Sequence, residues 1–163
     1  MQGDKTMQAR NKAFRVVPFL LALACFLLPF VEVSCAGYKT SLTGFQVATG
    51  WEMEKADLSG MRTKKERVAG DALALLALVC TGVGVRCSCG NHAGGVFLAA
   101  LGGAGGFVLL VWFKLRTDHE VVRQAAAVTL TYPPGFSLAC LFLLAGAGLC
   151  VYQLATGAAG LEA

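Results

Sequence analysis

The stretch Ala93–Phe113, AGGVFLAALGGAGGFVLLVWF, runs for 21 residues without a charged side chain. A bilayer core about 30 Å thick takes about 20 apolar residues of helix at roughly 1.5 Å each. This stretch is long enough to cross a membrane by itself, and it sets the expected class of the protein. The rest of the chain agrees with it. Of 163 residues, 56% are hydrophobic and 15% charged, with 20 glycines against 4 prolines and a mean hydropathy of +0.62. That composition is too apolar for a soluble domain and too blockwise for a disordered chain, and it leaves no room for a large soluble enzyme domain. The net charge of +4 is small, and its basic residues flank apolar blocks, where they orient membrane segments rather than bind nucleic acid.

Three further apolar blocks complete the pattern. Val16–Val31 follows a tail carrying Lys5, Arg10, Lys12 and Arg15. This is also the outline of a signal peptide, but Glu32 stands three residues before Cys35, where a lipoprotein signal wants an apolar side chain, so the block reads as a retained anchor. Ala72–Val85 is short. The capping-box spacing Thr63 to Glu66 is expected to start its helix one or two turns earlier, while Arg86 snorkels at the far end. Phe136–Leu154 is uncharged and follows Pro133 and Pro134, which suit a helix start. The expectation is an all-α membrane protein of one domain, a bundle of four transmembrane helices over residues 14–31, 66–86, 93–114 and 134–155, with polar loops at 32–65 and 115–133.

An even number of spans puts both termini on one side. The basic tail before the first helix favours a cytoplasmic N-terminus, although lysines and arginines are more numerous in the two polar loops; the first loop is long, and long loops cross with less regard to charge. The two loops then share a face and carry strand patterns. Residues 31–35 and 38–42 alternate about Ala36-Gly37, a two-residue hairpin connection, and residues 128–132 alternate too. They are expected to form a small β-sheet cap on the bundle. Between them, the spacing Thr117 to Glu120 predicts a separate short helix on the membrane surface.

Between lipid-bathed helices, close approach depends on small residues. Gly95, Ala99 and Gly103 recur at four-residue spacing with Gly102 and Gly106 beside them, and they form the expected helix-packing interface, either within the bundle or with another subunit. Ala74, Ala77, Thr81 and Gly84 line the second helix in the same way. Trp112, Tyr132 and Tyr152 fall near helix ends, where aromatic belts form. Without an ionisable side chain in mid-helix, an autonomous pump or channel is disfavoured.

The seven cysteines are the most reactive chemistry present. Cys25, Cys80, Cys140 and Cys150 fall inside helices, where cysteine packs as a small apolar residue. Cys87, Cys89 and His92 form a compact run whose donors suit zinc or an iron–sulfur centre, but the spacing Cys-x-Cys-x-x-His supplies no fourth ligand, and a plain tight turn accounts for it. A disulfide-forming oxidoreductase needs its thiols on one face, whereas Cys35 lies across the membrane from Cys87 and Cys89. His92 and His119 are the only histidines and could each ligate a pigment or haem; they sit at opposite ends of the third helix, about 40 Å apart at helical rise, so they cannot hold one haem between them. No cofactor is expected.

The run Leu28-Pro29-Phe30, Val33-Ser34-Cys35-x-Gly37, Leu42-x-Gly44 and Ala48-Thr49-Gly50 resembles the signature of small bacterial membrane proteins with several spans. That resemblance implies a bacterial inner-membrane location and transfers no activity. The layout is also similar in plan to claudins, without their tryptophan and paired-cysteine pattern. The functional expectation is a structural or accessory subunit of a larger membrane complex, respiratory or photosynthetic, with lipid and other membrane subunits as its partners and no enzymatic role. The alternative is an independent redox or metal-binding protein using Cys87, Cys89 and His92.

Overall fold

The computed structural model describes residues 2–35, 38–56, 63–90, 93–124 and 128–156. In chain order these form α1 (Gln2–Cys25), β1 (Pro29–Cys35), β2 (Tyr38–Thr43), α2 (Gly44–Thr49), β3 (Gly50–Ala56), β4 (Thr63–Ala69), α3 (Ala72–Ser88), α4 (Ala93–Gln124), β5 (Val128–Thr131) and α5 (Pro134–Ala155). The fold is mostly helical with two small sheets. Helices α1 and α4 each pack against both α3 and α5, so the four long helices share one core.

Phe19 of α1 stands at the centre of that core, fully buried. Its ring occupies a socket made by one glycine from each of the other three helices. A Cβ at Gly84 would lie 2.8 Å from the ring, and one at Gly103 or Gly146 would lie 3.0 Å from it. The small-residue face of α4 is turned to the same interior. Ala99 is fully buried, and a Cβ at Gly95, Gly102 or Gly103 would come within 3.1, 3.0 and 3.0 Å of the carbonyls of Cys87, Cys80 and Leu143. At Gly106 it would meet the Leu143 side chain at 3.4 Å. The row therefore serves packing within the chain.

Two helices are long and apolar enough to cross a membrane, α4 over Gly94–Glu120 and α5 over its whole length. The apolar part of α1, Ala13–Cys25, and α3 are shorter. Both differ from expectation for local reasons. The first helix was expected to reach residue 31 but stops at Cys25. Residues Phe26, Leu27 and Leu28 donate to carbonyls three residues back in a tightened last turn, and Pro29, which disfavours helical geometry in the residue before it, opens β1. The second helix does not start near residue 66. Thr63–Ala69 is a strand, and Asp71 caps α3 instead, its Oδ1 accepting from the amides of Leu73 at 2.8 Å and Ala74 at 3.3 Å.

No separate surface helix starts at Thr117. Helix α4 continues unbroken to Gln124, because Thr117 turns its hydroxyl back to the Phe113 carbonyl at 2.8 Å rather than capping a new start, and Arg116 pairs with Glu120 at 2.9 Å one turn on. At 32 residues, α4 is about 48 Å long, so its last turns project well beyond its apolar part.

The three-stranded sheet forms with β1 in the middle, antiparallel to β2 and to β5. It sits at the end of the bundle where α1 and α4 finish and α3 and α5 begin. The hairpin β3–β4 makes a second sheet that the sequence analysis missed. Its register sets Glu52 opposite Arg67 and Glu54 opposite Lys65, and also Lys55 opposite Lys64. Helix α2 was missed as well. Its capping box is complete: Gln46 N donates to Thr43 Oγ1 at 3.2 Å and Thr43 N donates to Gln46 Oε1 at 3.0 Å.

Candidate functional site

Between the cap and the ends of the helices lies a cavity of about 360 Å³. Its roof comes from strand alternation. Val31 and Val33 are two apart on β1 and so project to one face, Leu42 is paired with Val31 on β2, and Leu130 with Val33 on β5. Val47 of α2 and Trp51 of β3 close one side, while Phe113 and Thr117 from the projecting part of α4 close another. The Ala69–Asp71 segment, leading from β4 into α3, completes the wall. The long α4 and the unforeseen β3 hairpin thus each supply residues that the cavity needs.

The lining is apolar except at three places. Thr117 already donates its hydroxyl proton to Phe113 and keeps only acceptor capacity. Asp71 is held by the α3 cap, and its own amide donates to the Val47 carbonyl at 2.8 Å. Trp51 differs from both. Its indole Nε1 is buried and has no hydrogen-bond partner. A buried indole N–H without an acceptor costs stability that a suitable acceptor in the cavity would restore.

Beside this cavity the join between α4 and α5 is fixed by Tyr132. Its hydroxyl donates to Asp118 Oδ1 at 2.7 Å, and Lys114 Nζ stands 5.2 Å from its ring centroid. Burial, and then the bond to Asp118, push the phenol above its ordinary titration range. The ring also packs on Phe136 at 5.4 Å, which meets Phe30 edge-on at 5.7 Å, and Phe30 lies 4.9 Å from Phe26. This aromatic run ties α5 to the end of α1.

Of the residues singled out for metal or haem, the structure describes Cys87, Cys89 and His119. Cys87 is half-buried, and its carbonyl accepts from the amides of Cys89 and Gly90 in the turn after α3; Cys89 is exposed, and both thiols are free. His92 lies outside the described residues. His119 is exposed on α4 in a shallow surface groove with Trp112 and the Arg116–Glu120 pair, at the cap end of the molecule. Among the described residues no group of three or more histidine, cysteine or acidic side chains could hold a metal ion. Cys25 and Cys150 are buried and Cys80 and Cys140 half-buried within helices.

The architecture and cavity define a mostly helical, membrane-associated protein with small sheets at one end. Comparison with known proteins finds no family model, no curated protein and no solved structure that matches the chain.

Proposed function

We propose that the chain is an integral membrane protein that binds a small apolar molecule carrying a hydrogen-bond acceptor, such as a carbonyl, in the pocket beneath its cap. The observation that carries this reading is the buried, unpartnered indole N–H of Trp51, a residue that lines this largely apolar cavity. Insertion of all four long helices together is part of the proposal. Although α1 and α3 are short, they present Val17, Leu20 and Leu21, and Leu75, Leu76, Val79 and Val83, to the outside, a breadth of exposed apolar surface that suits lipid rather than water. With the N-terminus cytoplasmic in a bacterial inner membrane, the cap and its pocket face the other side.

The test uses the two tryptophans, Trp51 and Trp112, in the full chain labelled with ¹⁵N-indole. Addition of 2-decanone should move the Trp51 indole resonance and leave Trp112 in place, while decane should do neither, and Trp51→Phe should abolish stabilisation by the ketone. A Trp51 resonance that ignores the ketone, or responds equally to decane, overturns the reading.

A second reading, an accessory subunit of a larger membrane complex, is favoured by a different observation. Gly82 of α3, Gly105 of α4 and Gly148 of α5 have nothing within 4 Å of where a Cβ would stand. Glycine in open space on a helix facing lipid gains nothing from its own fold, but it lets another helix approach closely. Gly105→Leu should leave the protein folded and remove any co-purifying membrane subunit; unchanged co-purification would count against this reading. Among the described residues no observation favours the metal-binding alternative on Cys87, Cys89 and His92.

A further inference from the structure

Arg15 belongs by sequence to the basic tail of α1, yet only 7% of it is exposed. It lies one turn before Phe19 and faces inward with it. Its Nε is buried without a hydrogen-bond partner, and the same is true of the Oγ of Ser88, which is fully buried in the last turn of α3. Cys150 of α5, also fully buried, lies beside both. Three helices therefore bring a guanidinium and a hydroxyl to either side of Cys150, at the end of the bundle opposite the cap. Among the described residues no carboxylate pairs with Arg15.

A buried guanidinium N–H without an acceptor costs free energy. An anion held at this point removes the cost. The guanidinium fork presents parallel N–H donors matched to two oxygens of a phosphate, and the Ser88 hydroxyl can donate to a third. The position suits such a ligand. Helix α3 ends at Ser88 and α5 runs only five residues past Cys150, so the cluster lies within about 8 Å of the helix ends, near the depth of lipid headgroups.

We propose that Arg15 and Ser88 form a binding site for a phosphate group, carried either by an anionic lipid headgroup or by free inorganic phosphate. This site is independent of the pocket beneath the cap, and its failure would leave that pocket untouched.

The experiment uses the full chain, stripped of lipid in detergent. Phosphatidylglycerol and phosphatidylcholine are compared by native mass spectrometry, and millimolar inorganic phosphate by thermal stability. A lipid source predicts tighter binding of phosphatidylglycerol than of phosphatidylcholine, weakened about tenfold or more by Arg15→Gln. A free-phosphate source predicts stabilisation by inorganic phosphate, lost in Arg15→Gln, with no preference between the lipids. If Arg15→Gln does not fold, Arg15→Lys, which keeps the charge but loses the fork, and Ser88→Ala carry the comparison, each weakening the same response. Wild-type protein that shows neither response overturns the proposal, and so does a phosphatidylglycerol preference unchanged in Arg15→Lys and Ser88→Ala, which the basic tail alone would explain.

Discussion

Tyr132 shows how one side chain can hold two elements that the sequence leaves separate. Its bond to Asp118 spans fourteen residues and joins the projecting end of α4 to the start of α5. Tyr132→Phe keeps the ring contact with Phe136 but removes a hydrogen bond to a charged acceptor, so it should cost about 1.5–3 kcal/mol, measured as a lower melting temperature in detergent. The pH dependence has a definite sign. Because the folded state raises the phenol pKa, its stabilising contribution is complete below the ordinary tyrosine value of about 10 and is lost as pH rises above it, where the unfolded chain releases the proton and the folded chain keeps it. Wild type should therefore lose stability more steeply than Tyr132→Phe as pH rises from about 9 to 11. Parallel curves for the two proteins would contradict this account.

Among elements, the same spacing of Thr, two residues and Glu or Gln occurs at Thr43, Thr63 and Thr117, and only the first makes a cap. Thr63 lies in β4 and Thr117 inside a continuing helix, so the pattern marks a helix start only where the chain arrives in an extended conformation. The helix-packing row is a second case of this kind. Small residues on α4 were legible, but which side they face is decided by α3 and α5. Gly103→Leu would drive a side chain into the Leu143 carbonyl at 3.0 Å, a backbone atom that cannot move aside, and into the Phe19 ring. It should destabilise the protein by about 1–3 kcal/mol or prevent folding. Gly105→Leu, on the open side of the same helix, should leave the melting temperature unchanged. Equal loss in both variants would contradict this account, because helix propensity favours leucine over glycine at both positions.

At the scale of the molecule, the cap and the α3–α4 turn lie at opposite ends of the long helices. If all four helices cross the membrane, Cys35 on β1 and Cys89 after α3 are separated by the bilayer. Single-cysteine proteins carrying either residue should then react with a membrane-impermeant thiol reagent from opposite sides, Cys35 in intact spheroplasts and Cys89 only in inverted vesicles. Labelling of both from one side would defeat the four-span arrangement. Helix α4 is longer than its apolar part. Its first part packs in the core, and its last turns stand outside to wall the pocket and receive Tyr132.

The sequence by itself determined the membrane class, the positions of the four apolar blocks and the central strand pattern at 31–35, because hydropathy and period-two alternation are local properties readable over a few residues. It also held the signal for α2, in Thr43 with Gln46, although short runs of this kind compete with equally good patterns elsewhere. Tertiary structure alone decided that Pro29 and Asp71 bound shorter helices than the apolar blocks suggest, and that Gly84, Gly103 and Gly146 form one socket for Phe19. It alone placed Trp51 in the lining of a cavity and drew Arg15 out of the basic tail into the bundle. Each of these depends on which distant residues become neighbours, and contact between helices far apart in the chain leaves no trace in the local order of side chains.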